Sequence, residues 1–384
     1  MAKLSEVFTL QMGKTPARAR EEYWNTGDNA WVSIADLSTF DKYVGSTKET
    51  ISDLAVRESA IKLVPADTVI MSFKLSIGKT AITVEPTYTN EAIMAFIPNG
   101  RYPVCPSYFY HLFSGRDWSK GTNRAVMGTT LNKATLGEID IVIPTLAEQR
   151  RIAELLDKID TIINCSKQQL AKLDELVKSR FIELFGDSVT NSMGWDTDTV
   201  IGVCDDIYGG GTPSKSHPEY YENGDIPWVS SKDMKTDVLY DSQIKINQLG
   251  VDNSTAKMVP INSVIMVIRS GILKHTLPVA INAVPITVNQ DLKVFIPSKR
   301  ILSIFLMHQF KMLEKDILSG VRAVTADNIE FDSLKKREII VPPLELQEQF
   351  AAFVEQTDKS KLAIQKSLAK LETLKKSLMQ QYFG

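Results

Sequence analysis

The chain has 384 residues, 43% of them hydrophobic and 23% charged, with a formal net charge of −2. That length predicts two to three domains, and the apolar content is enough for their cores. No apolar run approaches the roughly 18 residues of a membrane helix, and the near-neutral charge argues against a free-standing nucleic-acid binder, which is usually basic. The opening MAKLSEVFTLQMGKTP lacks the apolar stretch and cleavage site of a signal peptide. Cys105, Cys165 and Cys204 form no CxxC pair. The expected setting is therefore the reducing cytoplasm, without disulfides or a zinc site.

Residues 1–143 read as the first mixed segment. It carries GKTP (Gly13 to Pro16), the aromatic pair Tyr23-Trp24, WVSIADL (Trp31 to Leu37), VIMSFKLSIGKTAITV and NEAIMAFIP (Asn90 to Pro98). β-Branched runs between Gly, Pro and Asn signals predict short strands. Residues 144–186 then predict one helix of about 40 residues, roughly 60 Å long. It has no internal Gly or Pro, a Thr145/Glu148 capping box at its start and Gly186 at its end. Residues 187–341 read as a second mixed segment. It carries GGTP (Gly210 to Pro213), Tyr220-Tyr221, WVSSKDM (Trp228 to Met234), VIMVIRSGILKHTLPVAI and NQDLKVFIP (Asn289 to Pro297). Residues 342–384 predict a second long helix, without the capping box because Pro343 stands where Thr145 stood. The mixed segments make two α+β domains of roughly 140 to 155 residues.

These pieces match in order. LAKLDELVKSRFIELFG ends at Gly186 and LAKLETLKKSLMQQYFG at Gly384, an offset of about 198 residues. At that offset Ile143-Pro144 falls on Val341-Pro342, Gln149 on Gln347 and Asp160 on Asp358, and the strand motifs match with small drifts. The chain is one unit written twice, each a mixed segment succeeded by a long helix. In the first helix, Leu156, Ile159, Ile163, Leu170, Leu173, Val177 and Leu184 form a heptad seam interrupted at Ser166 and Arg180. In the second, the seam runs through Val354, Ile364, Leu368, Leu371 and Leu378. One such helix alone would be a surface helix packed on its own domain. Two matched copies predict an intramolecular antiparallel coiled coil separating two pseudo-twofold-related, strand-rich domains.

The ordered set G-x-T-P, aromatic pair, G-D, W-V-S, strand-rich middle, Leu-x-x-Gln helix start and Phe-Gly helix end, all in duplicate, resembles the specificity subunit of type I restriction–modification enzymes. The likeness covers essentially the whole chain. GGTPSKSHPEYYENGDIPWVSSKDM is an especially close match to the family pattern, whereas the first copy departs from it with GKTP and GDNAWVS. The resemblance implies a non-catalytic protein. Each strand-rich unit would be a target recognition domain reading one half of a split, asymmetric site in double-stranded DNA. The helices would separate these domains and bind two modification (methyltransferase) subunits, with restriction subunits as further possible partners. S-adenosylmethionine, ATP and Mg are then expected on the partner subunits and none on this chain. Partners that wrap the DNA would also supply phosphate neutralisation, which answers the neutral charge.

Candidate DNA-binding residues are the polar and basic groups near the motifs. They are Lys14, Thr15, Arg18 and Arg20 in the first copy, and Thr212, Ser214, Lys215 and Lys232 in the second. Lys74 and Lys79 face Arg269, Lys274 and His275 in corresponding hairpins, and Arg124 aligns with Arg322. For any one of them the alternative is a solvated surface charge. The aromatic pairs read more readily as core than as base-stacking groups.

Two other function classes fit less of the chain. SIGKT (Ser76 to Thr80) resembles the end of a phosphate-binding loop. Phe73 stands where that motif needs its first Gly, and the next residues, AITVEPTYT, have no helical pattern. An architectural coiled-coil adaptor would account for the helices but not for two mixed domains that differ in sequence.

Overall fold

The computed structural model describes residues 1–74, 76–118, 131–320, 322–323 and 327–384. The chain divides into two compact units. The first comprises Met1–Lys167 with Gln365–Gly384, and the second Gln168–Ile364. Each unit therefore contains one mixed domain, the start of one long helix and the end of the other.

In the first unit, four antiparallel strands run in the order Phe8–Met12, Ile93–Pro98, Val69–Ser72, Thr80–Ile82. The run VIMS is buried at all four positions because both faces of this sheet are covered. Val69 and Met71 face the helix Pro106–Gly115, packing with Tyr108, Phe109 and Phe113. Ile70 points the other way and packs with Val32, Leu37 and Ala95, the alternation that strand geometry imposes. A second sheet joins Glu49–Ile51, Trp24–Val32 and Tyr88–Thr89.

The second unit repeats this plan with one addition. Its larger sheet runs Cys204–Gly209, Leu292–Pro297, Val264–Val267, Val279–Asn282, Val238–Leu239, and the last pair is parallel. In the first unit a single parallel bridge, Tyr43 to Ile82, occupies that place. The smaller sheet joins Lys245–Ile246, Ile226–Val229 and Thr287–Val288. The helix Ser303–Met312 covers the core here, with Phe305 against Phe181 and Phe185 of the first long helix.

The long helices are Leu146–Phe185 and Leu344–Phe383, each of 40 residues. Within each unit they run antiparallel. In the first, Asp160 meets Lys375 at 2.5 Å and Arg151 meets Tyr382 at 3.4 Å. In the second, Asp174 meets Lys361 at 2.6 Å and Phe181 meets Phe350 with ring centroids 5.3 Å apart. Of the expected seam, Leu156, Ile159, Ile163, Val177 and Val354 are buried. Leu170, Leu173, Leu184, Ile364, Leu368, Leu371 and Leu378 are half-buried. Most of these lie where helix meets helix with no domain core behind them, and two helices alone cannot enclose a seam. Ser166 is buried within the seam rather than breaking it. At Arg180 the pattern shifts by one residue. Phe181 enters the domain core while the Arg180 guanidinium lies 5.8 Å from the Phe353 ring.

The helix ends explain several residues. Glu148 N–H donates to Thr145 Oγ1 at 3.3 Å, so half of the expected capping box is present. The Glu148 carboxylate turns forward instead, to Arg151 at 2.6 and 2.8 Å. Gly186 closes its helix at φ +73°, donating to Ile182 O, and a Cβ there would lie 2.4 Å from Ser192 Oγ. Two glutamines with no exposed surface anchor the helix starts. Gln149 Oε1 accepts from Cys105 N–H at 2.9 Å, and its Nε2 donates to Pro103 O and Pro144 O, both at 3.0 Å. Gln347 repeats the pattern with Leu302 N–H at 2.8 Å, Arg300 O at 3.2 Å and Pro342 O at 2.8 Å.

Cys105, Cys165 and Cys204 are free thiols, and burial pushes Cys204 up to about 12. Cys165 is exposed on the first long helix. A thiol alkylating reagent at neutral pH is expected to label Cys165 and spare Cys204 in the folded chain, as peptide mapping by mass spectrometry would show. Replacing Gln347 by Ala strands a buried N–H and two carbonyls, which is expected to cost about 2–4 kcal/mol in chemical unfolding. Gln365→Ala on the exposed face of the same helix is expected to stay within about 0.5 kcal/mol.

Candidate nucleic-acid interface

The G-x-T-P segments are part buried and part exposed in each domain. Gly13 is buried where a Cβ would fall 2.2 Å from Thr89 O and 2.3 Å from Asn90 O. Gly210 is held in the same way, with Val288 O at 1.9 Å. In each copy the motif backbone is thus laid against the end of a strand, an approach only glycine permits. Trp31 Nε1 donates to Lys14 O at 3.1 Å, and Trp228 Nε1 to Gly211 O at 2.9 Å. Thr15 donates to Glu91 and Thr212 to Gln290, tying the motif to the Asn-x turn that precedes the central strand. The serine of W-V-S caps the next turn in both copies, Ser33 with Asp36 and Ser230 with Asp233, at 2.7 and 2.8 Å. The shared motifs are therefore chiefly scaffold.

Several candidate cations of the first domain are already engaged. Arg18 pairs with Glu49 through both terminal guanidinium nitrogens and lies 3.7 Å above the Trp24 ring, which in turn packs edge-on to Trp31. Arg20 binds Glu22 at 2.8 Å, and also Glu58 and Tyr23. Hydrogen bonds from Tyr23 and Arg20 hold the Glu58 carboxyl below its ordinary value, so the pair is ionised at neutral pH. Lys14 Nζ donates to Ser59 O at 2.5 Å. In the second domain Arg269 pairs with Asp291 at 2.6 Å, and Ser214 bonds Ser216 at 2.7 Å.

Three of the remaining candidates are open to solvent. Lys79, Lys215 and Lys232 are exposed and make no ion pair among the described residues. Lys74 lies 5.3 Å from the Phe73 ring. Lys74 and Lys79 flank the connection between Val69–Ser72 and Thr80–Ile82. Arg269, Lys274 and His275 lie in the equivalent connection of the second domain, where Gly271–Lys274 forms a 3-10 turn. The SIGKT segment accordingly joins two antiparallel strands and offers no helix N-terminus for a phosphate. Arg322 lies in the short strand Arg322–Ala323, with its backbone opposite Asn328. Arg124 lies outside the described residues.

Of the aromatic pairs, Tyr23 is buried and Trp24, Tyr220 and Tyr221 are half-buried. Two other tyrosines stand out that no sequence motif marks. Tyr43 and Tyr240 occupy matching places after W-V-S and are 52% and 67% exposed. Their alignment at the repeat offset is the signal that could have found them. Among the described residues no cluster of His, Cys, Asp or Glu is placed to hold a metal ion, and no helix is long and apolar enough to cross a membrane.

The model of the type I restriction modification DNA specificity domain family matches residues 1–175 and again 193–376. The chain belongs to this family. Its place there is in the recognition of DNA sequence for a type I restriction–modification system. A similar protein is the type I restriction enzyme MjaIX specificity subunit of Methanocaldococcus jannaschii, 25% identical over 399 residues, covering 98% of this chain and 90% of that one. The EcoR124I/EcoR124II specificity subunit of Escherichia coli is 33% identical over 209 residues, covering 53% and 50% respectively. The fold is shared with the type I restriction–modification S subunit from M. genitalium, at TM-score 0.60 and 13% identity, over all of this chain and 95% of the other.

The engaged and open groups separate by experiment. Thr212→Val, which breaks the tie to Gln290, is expected to destabilise the chain by roughly 1 kcal/mol in chemical unfolding. Lys79→Ala or Lys215→Ala should leave stability within about 0.5 kcal/mol and lower the salt-dependence slope of DNA binding by about 1 wherever the lysine meets a phosphate.

Proposed function

We propose that this chain is the non-catalytic reading subunit of a type I complex, and that it directs adenine methylation, and restriction where a restriction subunit is present, to a split and asymmetric DNA site. Each mixed domain reads one short half-site in the major groove, phosphate contacts setting register and base-edge contacts setting identity. Two modification subunits dock on the duplicated helices. S-adenosylmethionine, ATP and Mg belong to those partners and to the restriction subunits, all in the cytoplasm.

The observation that carries this reading is the contrast between scaffold and surface. Gln149 and Gln347 make the same three bonds in both copies. The loops after the G-x-T-P motifs present different groups: Arg18 and Arg20, paired with Glu49 and Glu58, in the first domain, and in the matching places of the second the open Lys215 and His217, which pairs with Glu219. A partner surface offered twice beside two unlike reading surfaces is what a split, asymmetric site requires. Half-sites separated by about a helical turn, near 34 Å, need a spacer, and a helix of 40 residues, about 60 Å long, is long enough to be one.

Inserting one heptad after Ile163 is expected to lengthen the gap in the methylated site and leave both half-sites unchanged. A change in the half-site bases would count against the spacer. Exchanging residues 1–143 for another recognition domain is expected to change one half only. Both are read by sequencing methylated adenines in DNA from cells that also express the modification subunit.

A further inference from the structure

Two lysines sit where the helix seam wants apolar residues. Counting from Phe350 and Val354, the buried and half-buried face of the second long helix runs through Thr357, Lys361, Ile364, Leu368, Leu371, Lys375 and Leu378 in alternating steps of three and four. Lys361 is only 15% exposed and Lys375 33%. Each reaches an aspartate of the first helix, Lys375 to Asp160 at 2.5 Å and Lys361 to Asp174 at 2.6 Å. The aspartates flank seam residues Ile159 and Leu173. Two heptads separate the acids, and two heptads separate the bases.

A seam of Leu and Ile alone repeats every seven residues, so one heptad of slip costs it little. The charged pairs remove that degeneracy. A one-heptad slip of the second helix in one direction sets Lys375 beside Ser166 and Lys167, and Lys361 beside Arg180 and Phe181. The opposite slip sets Lys375 beside Ile152 and Ala153, and Lys361 beside Ser166 and Lys167. In neither case does a lysine keep its observed aspartate across the seam, and in both at least one faces a like charge. Lys361 keeps Asp358 of its own helix, 3.5 Å away, in any register, but either slip breaks both cross-helix pairs and sets like charges together in the half-buried seam, which is costly, so both alternatives are disfavoured.

We infer that Asp160–Lys375 and Asp174–Lys361 lock the register of the two long helices, and through it determine the gap length of the recognised DNA site. The second half of this statement rests on the spacer reading above. Ion pairs of this kind contribute little net stability against apolar replacements but exclude competing arrangements.

The test uses the full chain with Cys165→Ser and pairs of reporter cysteines, oxidised without DNA. Leu170→Cys with Ile364→Cys reports the observed register. Leu170→Cys with Leu371→Cys, or with Thr357→Cys, reports the slipped ones. With the lock intact, the first pair is expected to cross-link at least about tenfold more than the others. In Lys361→Leu with Lys375→Leu the slipped pairs should rise to within about threefold of the first, with unchanged or higher thermal stability. Exchanging charges in both pairs (Asp160→Lys with Lys375→Asp, Asp174→Lys with Lys361→Asp) should restore the observed register alone. If the leucine variant cross-links only in the observed register, the domain-bound helix ends suffice and the inference fails. If it slips while the methylated site keeps a single gap, the lock stands and the spacer reading fails.

Discussion

The grip of a buried glutamine on its own domain sets the rest of the chain in order. Gln149 and Gln347 each sit in the first turn of a long helix, where backbone N–H groups lack intrahelical partners and the chain is turning out of the domain. A side-chain amide offers two donors and an acceptor. Here all three are used, on the proline before the helix and on the loop leading into the domain's own covering helix. The helix direction is thereby fixed relative to that domain's sheet. The far end of the partner helix completes the arrangement. Phe185 is buried beside Phe305 and Phe350 in the second unit, and Phe383 packs on Tyr108 in the first. Each domain holds the beginning of one helix and the end of the other, which is why the helix is written twice with the same Leu-x-x-Gln opening and Phe-Gly close.

That division of labour accounts for a motif set that is shared while the surface loops differ. Gly13 and Gly210, Trp31 and Trp228, and the capping serines Ser33 and Ser230 spend their chemistry on neighbouring backbone and side chains. They form a frame on which loops vary. Groups that vary between the copies, such as Lys215 and Lys232 in the second domain, face solvent.

Much of this fold is legible in the sequence, and the misses have physical causes. The repeat, the helix spans and the hairpin equivalence come from spacing, because heptads and β-branched runs are local signals. Gln149 and Gln347 align at the repeat offset, but a glutamine near a helix start reads as surface, and only the loop packed over it shows otherwise. Arg18 and Arg20 look available in the sequence because Glu49 and Glu58 are remote from them along the chain. The capping box at Thr145 is half right because Glu148 has a better partner in Arg151. Heptad counting places Arg180 in the seam, whereas the domain core draws in Phe181 one residue later. Tyr43 and Tyr240 escape notice because no local motif marks an exposed tyrosine.

The central claim is that one duplicated frame presents two unlike DNA-reading surfaces. It is tested most directly by expressing this chain with a modification subunit and sequencing methylated adenines in the host DNA. The account predicts one split motif with two different halves, lost when this chain is omitted. Methylation at a motif that persists without the chain, or no motif while the chain still binds its partner, would contradict it and leave an adaptor that docks proteins without reading DNA.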